Sequence, residues 1–252
     1  MDIRAIEWFD LNSEVMSASS DEKNGSDAPK KDTTSKPKPE AKKVAVAPEK
    51  TTPNPPLKFR LDKLERDHPY LTERGLTLET IVDFGVGFCV KGMMAERIAI
   101  PIHNVEGKVV AYAGRFLGEP AEDTPKYKLP PGFKKSLELF NIDRAVKEPG
   151  DLPLVIVEGF FDCMKIHQNG HRKVVAIMGD TMSGAQEELI RQHTTRASHV
   201  IVILDENDAG KAGRDDIACR LSKHCFVRVH LFDTPDAEPE HLTAEGVQAL
   251  LS

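Results

Sequence analysis

Two short apolar runs, each ending in a carboxylate, set the strongest limit on what this chain can fold into. They are Leu154-Val155-Ile156-Val157 before Glu158-Gly159-Phe160-Phe161-Asp162, and Val200-Ile201-Val202-Ile203-Leu204 before Asp205-Glu206-Asn207-Asp208-Ala209-Gly210. Unbroken runs of β-branched and aliphatic residues fit strands buried on both faces, as in a parallel sheet covered by helices. Pro153 and Gly159 bracket the first run too tightly for a helix, and the stretches beyond the acidic turns, about 160–168 and 211–223, read as helices. A third run, Val174-Val175-Ala176-Ile177, precedes Gly179 and a helix starting near Ser183, where Ser183 and Gln186 fit a capping box. A fourth runs from Phe226 to Phe232. Right-handed β-α-β crossovers set every strand's carboxyl end on one edge of the sheet. Glu158 and Asp205 are therefore expected to share an edge.

On that edge Asp162 falls one helical turn beyond Glu158, and Asp208 lies beside Asp205. Carboxylates so close repel and raise one another's pKa unless a cation neutralises them. Magnesium suits such a place, because it takes one or two carboxylates and leaves room for water and substrate phosphate. The same acids can also cap helix N-termini and line a solvated edge. Two acidic turns with glycines, on neighbouring strand ends, favour the metal.

The pattern Glu158-Gly-x-x-Asp162 after a buried strand, followed by Asp205-x-Asn207-Asp208-Ala209-Gly210-x-x-Gly-Arg214, resembles the toprim domain of bacterial-type primases, topoisomerases and related nucleases. The intervening Ala176-Ile177-Met178-Gly179-Asp180-Thr181-Met182-Ser183 is similar to the primase version. The resemblance implies catalysis by Glu158 and Asp205, with Asp162, Asn207 and Asp208 completing the metal set. One departure stands out: the second acid of the usual Asp-x-Asp is Asn207, with Glu206 in place of a small residue. Asparagine brings a neutral oxygen, which leaves Asp208 or Glu206 to compensate. The family's acid-Pro-acid turn is matched by Glu238-Pro239-Glu240.

Upstream, residues 1–12 form an apolar patch of Ile3, Ile6, Trp8, Phe9 and Leu11, too short to fold alone. Ser17 to Pro56 is rich in Lys, Pro, Ala, Ser and Thr and reads as a disordered tether, so residues 1–56 form one expected unit. Residues 57–150 read as a small mixed α/β subdomain. Its Thr77-x-x-Thr80 start and Gly85 stop mark a short helix, and a hairpin runs from Arg97-Ile98-Ala99-Ile100-Pro101-Ile102 through a polar turn to Val109–Arg115. Then Asp123-Thr124-Pro125-Lys126-Tyr127 and Gly132-Phe133-Lys134-Lys135-Ser136 place lysines beside aromatic rings, a combination that fits single-stranded nucleic acid as well as an ordinary charged cap. These segments follow in order those of the N-terminal subdomain of a bacterial-type primase core. The resemblance implies a basic groove for template and incoming nucleotides, carried here by Arg97, Arg115, Lys126, Tyr127, Lys134 and Lys135.

The expectation is thus an α/β chain: a disordered N-terminal tether, a small mixed subdomain, and a parallel-sheet, Rossmann-like toprim domain over residues 151–252. The implied function is DNA-templated synthesis of short RNA primers with Mg2+ or Mn2+; a toprim nuclease, or an inert nucleic-acid-binding toprim module, remains open. Expected partners are a single-stranded DNA template and ribonucleoside triphosphates, with a separate zinc-ribbon module or a helicase. The net charge of −6 looks wrong for such a role, but the acid excess lies in residues 151–252, where a cation would offset it. The cysteines at 89, 163, 219 and 225 make no Cys-x-x-Cys pair, so no zinc is expected within this chain. No apolar stretch is long enough to span a bilayer, so no membrane partner and a cytoplasmic location are expected.

Overall fold

The computed structural model describes residues 52–118, 125–232 and 237–251. The apolar patch at 1–12, nearly all of the expected tether, and Asp123 with Thr124 lie outside them. Residues 50–252 form one compact unit.

The first half is an antiparallel meander. It runs β1 (Leu64–Glu65), α1 (Pro69–Glu73), α2 (Leu78–Phe84), β2 (Gly87–Cys89), β3 (Arg97–His103), β4 (Val109–Phe116) and β5 (Tyr127–Lys128), with the five strands hydrogen-bonded in sequence order. Helix α2 starts and stops as its residues dictate. Thr77 Oγ1 accepts from the Thr80 N–H, and Gly85 leaves the helix at φ 67°, a left-handed backbone that glycine adopts without steric cost. In the β3–β4 turn, Asn104 Oδ1 accepts the Lys108 N–H at 2.9 Å. Asn54, within the span expected to be tether, is buried; its side chain accepts from the Lys134 N–H and donates to Glu138 Oε1.

A short helix, α3 (Ile142–Ala145), leads to the parallel half: β6 (Leu154–Val157), α4 (Phe160–Gln168), β7 (Val174–Ala176), α5 (Gly184–Gln192), β8 (His199–Val202), α6 (Asp208–Leu221) and β9 (Phe226–Val229). A final helix, α7 (Ala244–Leu251), closes the described chain. All strand pairs of this sheet are parallel, in the order β7-β6-β8-β9. Residues 154–157 are completely buried, as their unbroken aliphatic run requires. The third run ends one residue short of its expected span and the fourth three residues short. The Ile177 N–H still reaches Val157 O, and the His230 N–H still reaches Val202 O, so each ladder runs one hydrogen bond past its strand.

One apolar cluster takes residues from both halves, among them Ile100, Ala113, Phe140, Val157 and Phe161. Aromatic rings run through it in sequence: Phe84 on Phe140 at 5.7 Å, Phe140 on Phe160 at 4.9 Å, and Phe160 on Tyr127 at 5.1 Å. Between the halves, Phe140 and Ala176 exchange both backbone hydrogen bonds, which pairs the connecting segment with the outer side of β7. Gln186 adds a buried polar clasp. Its Nε2 donates to Glu138 O at 2.8 Å and Ile177 O at 3.0 Å, while its Oε1 accepts the Ser183 N–H, completing the capping box. The two sheets are therefore joined by a shared apolar cluster, a backbone pair and a buried amide. Among the described residues, no helix is long and apolar enough to cross a membrane.

Candidate active site

The order β7-β6-β8 means that the chain leaves β6 to one side and returns to pair on its other side. At such a switch point the loops diverge and open a crevice beyond the strand ends. Glu158 follows β6 and Asp205 follows β8, so the two acids flank it. A cavity of about 370 Å3 occupies this place, lined by the acids Glu158, Asp162, Asp205, Glu238 and Glu240 and by the bases Arg74, Arg115, Lys126 and Lys135.

Local structure fixes each acid. Glu158 Oε2 is buried and has no hydrogen-bond partner. Asp162 sits in the first turn of α4, where its Oδ2 accepts the Gly159 N–H at 2.8 Å, so one oxygen is already committed to capping. Gly210, in the first turn of α6, packs on the backbone of Asp205; a Cβ there would lie 2.2 Å from Asp205 O. Only glycine lets the helix begin this close to the strand end.

Asp205 stands in the field of each of the other two acids. Burial, then the charges of Asp205 and Asp180, push the Glu158 carboxyl up to about 7. Burial and Asp205 do the same to Asp162, also to about 7. Burial, with Glu238 next, holds Asp205 above its usual range. Lys126 works in the opposite direction on both Glu158 and Asp205. An unpartnered buried carboxylate oxygen, beside acids that resist ionisation together, is a donor set suited to a cation.

The basic residues come from the meander and from the segment that follows it. Arg115 is buried; its Nε donates to Tyr70 Oη at 3.0 Å and its guanidinium lies 5.0 Å over the Tyr127 ring. Burial pushes the Tyr127 phenol up to about 12, so it stays neutral. Lys135 Nζ donates to Met178 O at 2.7 Å, and a Cβ on Gly179 would come within 2.8 Å of that ammonium.

Several residues singled out in the sequence stand elsewhere. Asn207 is the N-cap of α6, its Oδ1 accepting the Gly210 N–H at 2.9 Å, and Asp208 is exposed; neither lines the cavity. Glu206 binds Arg214 at 3.0 Å and Lys211 at 3.6 Å. Arg97 donates to Gly114 O and Pro125 O and lies over Phe116, bracing the loop that carries Lys126. Lys134 holds the segment at Thr52 and Asn54 instead of facing the acids. Conversely, Arg74 was not singled out. It forms an ion pair with Glu240 and lies 4.8 Å over the Phe161 ring, bringing α1 to the acidic edge. Glu238, Glu240 and His241 hold ligand atoms within 4.8 Å of one another, the acid-Pro-acid turn that the resemblance had matched.

Comparison with known proteins follows the same division. Residues 90–146 match the family model for the N-terminal domain of the DNA primase catalytic core, and residues 155–239 match the Toprim-like family model. The DNA primase of Enterococcus faecalis is 31% identical, over 71% of this chain and 35% of its own length. That of Clostridium acetobutylicum is 27% identical, over 60% of this chain and 30% of its own length. The chain thus spans about a third of the curated relatives it matches. Among solved structures, a DnaG primase catalytic domain bound to ssDNA matches with TM-score 0.59 and 26% identity, over 73% of this chain and 70% of that one. The Aquifex aeolicus primase, with its zinc binding and RNA polymerase domains, shares the fold at TM-score 0.62 and 23% identity, over 72% of this chain and 54% of that one. The chain therefore carries the bacterial-type DNA primase catalytic core, its N-terminal domain at residues 90–146 and its toprim domain at residues 155–239.

Proposed function

We propose that this chain synthesises short RNA primers on a DNA template by metal-dependent nucleotidyl transfer in DNA replication. The observation that carries the reading is the cavity at the β6–β8 switch point, which Glu158, Asp162 and Asp205 line together with Arg115, Lys126 and Lys135. A nucleoside triphosphate and its counter-ion need that division: anionic ligands for the cation and fixed cations for the phosphates.

Glu158 and Asp205 are the residues to hold Mg2+ or Mn2+, with the uncommitted oxygen of Asp162 behind them. When bound, the cation supplies a lower pKa for the attacking 3′-hydroxyl and neutralises charge on the departing pyrophosphate. Below a pH of about 7, Glu158 and Asp162 hold protons, which the cation has to displace. Arg115, braced by Tyr70 and Tyr127, presents a guanidinium whose orientation is set before substrate arrives, a fork suited to phosphate. Lys126, in the loop before β5, and Lys135, at the start of a short 3-10 turn, add point charges to the cavity lining. In this reading the template is single-stranded DNA, the monomers are ribonucleoside triphosphates, and a zinc-ribbon module or a helicase acts alongside the chain in the cytoplasm. The relative bound to ssDNA supports the template, and the one carrying a zinc binding domain supports the zinc-ribbon module.

The test is primer synthesis on single-stranded DNA with labelled ribonucleotides and Mg2+ or Mn2+, run beside Glu158→Gln. Short, template-dependent RNA that disappears in the variant is expected. Cleavage of the template without nucleotides would replace synthesis with nuclease chemistry, and DNA binding with neither product would leave an inert binding module.

A further inference from the structure

We infer that Asn54 is a positioning residue for the nucleotide: it fixes the backbone from which Lys135 reaches the cavity, so that the ammonium is in place before a nucleotide binds. The inference rests on the nucleotide reading proposed above and adds to it a residue that does not itself line the cavity.

Asn54 is a buried side chain on an exposed segment. Thr52, Pro53, Pro55 and Pro56 around it are exposed, whereas Asn54 is 6% exposed. A polar group leaves water without a large penalty only where its hydrogen bonds are replaced, and here they are. Its Oδ1 accepts the Lys134 N–H at 2.9 Å, and its Nδ2 donates to Lys134 O at 3.0 Å and to Glu138 Oε1 at 2.9 Å. The side-chain amide thus takes both backbone groups of Lys134, as a neighbouring strand would, and adds the buried Glu138 carboxyl. The segment that carries it is stiff and tied down. Prolines fix φ at residues 53, 55 and 56, and the Leu57 N–H donates to Val109 O of β4 at 2.7 Å. Lys134 Nζ returns a bond to Thr52 O at 3.2 Å.

What the amide grips is the root of a cavity lysine. Lys134 is the N-cap of the 3-10 turn Lys135–Leu137 and makes no side-chain capping bond of its own; Asn54 holds it from 80 positions earlier. On the other side of the turn, Ser183 Oγ donates to Ser136 O at 2.5 Å and Gln186 Nε2 to Glu138 O at 2.8 Å. Between these holds stands Lys135, which lines the cavity and donates from Nζ to Met178 O at 2.7 Å. A long lysine stem loses much rotamer freedom when it is ordered. Fixing the root at Lys134 and the head at Met178 O places that loss in folding rather than in binding, which favours affinity. One of the three ammonium donors is used on Met178 O, and the others suit a phosphate. Without the Asn54 amide, the Lys134 backbone and the Glu138 carboxyl lose a shared partner, and the turn is held chiefly by α5 and its cap.

The experiment uses the full chain as wild type, Asn54→Ala, Lys135→Met and the double variant, with two readouts: primer synthesis from ribonucleotides, and equilibrium binding of fluorescently labelled GTP with Mg2+. Asn54→Ala is expected to raise KM for ribonucleotides and Kd for labelled GTP by about tenfold while lowering kcat far less, the scale on which a small misplacement remote from the chemistry is felt. Lys135→Met should act in the same direction, and the double variant should be no worse than Lys135→Met alone, because Asn54 acts through that lysine. Mn2+ binding without nucleotide should keep its wild-type affinity in Asn54→Ala, which a general loosening of the fold would not allow. Circular dichroism melting reports folding; if Asn54→Ala unfolds, Asn54→Asp, which keeps the shape and the acceptor but not the donor, takes its place. Wild-type KM and Kd in the folded Asn54 variant overturn the inference, as does a double variant whose loss is the product of the two single losses. A wild type that neither binds labelled GTP nor makes RNA overturns the nucleotide reading itself, and Asn54 with it, whereas a loss confined to Lys135→Met removes only the role of Asn54.

Discussion

Replacing Asp162 by Asn should stabilise the metal-free protein while impairing the site. The carboxylate is 6% exposed, and one oxygen accepts the Gly159 N–H, a role the amide oxygen of Asn can take over unchanged. The substitution therefore removes charge from a buried place without removing the cap. Its ordinary pKa of 3.8 rises to about 7 in the folded chain, chiefly through burial and then through Asp205. Between those values the unfolded chain has lost a proton that the folded chain keeps, so stability falls as pH rises across the window and levels off above about 7. At 1.36 kcal/mol per pKa unit the gap corresponds to about 4 kcal/mol at pH 8. Sharing of charge with Asp205, Glu238 and Glu240 spreads that cost, so a gain of about 2–4 kcal/mol is expected. Urea denaturation in EDTA, with wild type and Asp162→Asn compared from pH 4 to pH 8, reads it directly. The two proteins should coincide near pH 4 and diverge towards pH 8, and Mg2+ should then narrow the difference by stabilising the wild type. Equal stability at pH 8, or a difference independent of pH, would show that the carboxylate is not held against its own ionisation.

Three further outcomes follow from the same geometry. Mn2+ affinity should rise as pH increases through about 7, where Glu158 and Asp162 give up their protons, and a titration of Glu158→Gln should show a shallower dependence. Gln186→Leu keeps the side-chain volume but strands the carbonyls of Glu138 and Ile177 and the Ser183 N–H; a loss of about 3 kcal/mol or more in urea denaturation is expected. Gly179→Ala crowds the Lys135 ammonium, so it should raise KM for ribonucleotides more than it lowers kcat in the primer-synthesis assay, while Gly184→Ala, in open space, should do neither.

The parallel sheet was legible because its strands are buried on both faces and so carry unbroken aliphatic runs, with acids and glycines where the chain must turn. The meander could be read from its hairpin, and α2 from Thr77 and Gly85. What the sequence concealed were relations across the chain. Arg74 and Glu240 are 166 positions apart, and nothing local to either residue announces the pair. Strand order was equally hidden, although it decides that β7 and β8 both flank β6, and hence that Met178 and Gly179 as well as Asp205 line the cavity with Glu158. Asp208 and Glu206 illustrate the converse. Their closeness in sequence to Asp205 suggested a shared site, but the start of α6 turns the chain there, and helix capping and Arg214 settle their surroundings. Asn54 belonged to a stretch whose composition reads as linker, and a single amide with two well-placed partners was enough to pin it.

The backbone exchange between Phe140 and Ala176 leaves the parallel sheet with unequal sides. A free strand edge is a template for any other extended chain, and proteins blunt it with charge, cover or shortness. Here the β7 side is occupied by the protein's own connecting segment, which a foreign strand would have to displace. The β9 side is paired only with β8 among the described residues, and it carries Arg228 between half-buried valines, with Phe226 exposed at its start. Off-pathway association of the parallel sheet would therefore meet β9, an edge blunted by its four-residue length and by Arg228, which is tied to Leu250 O of α7.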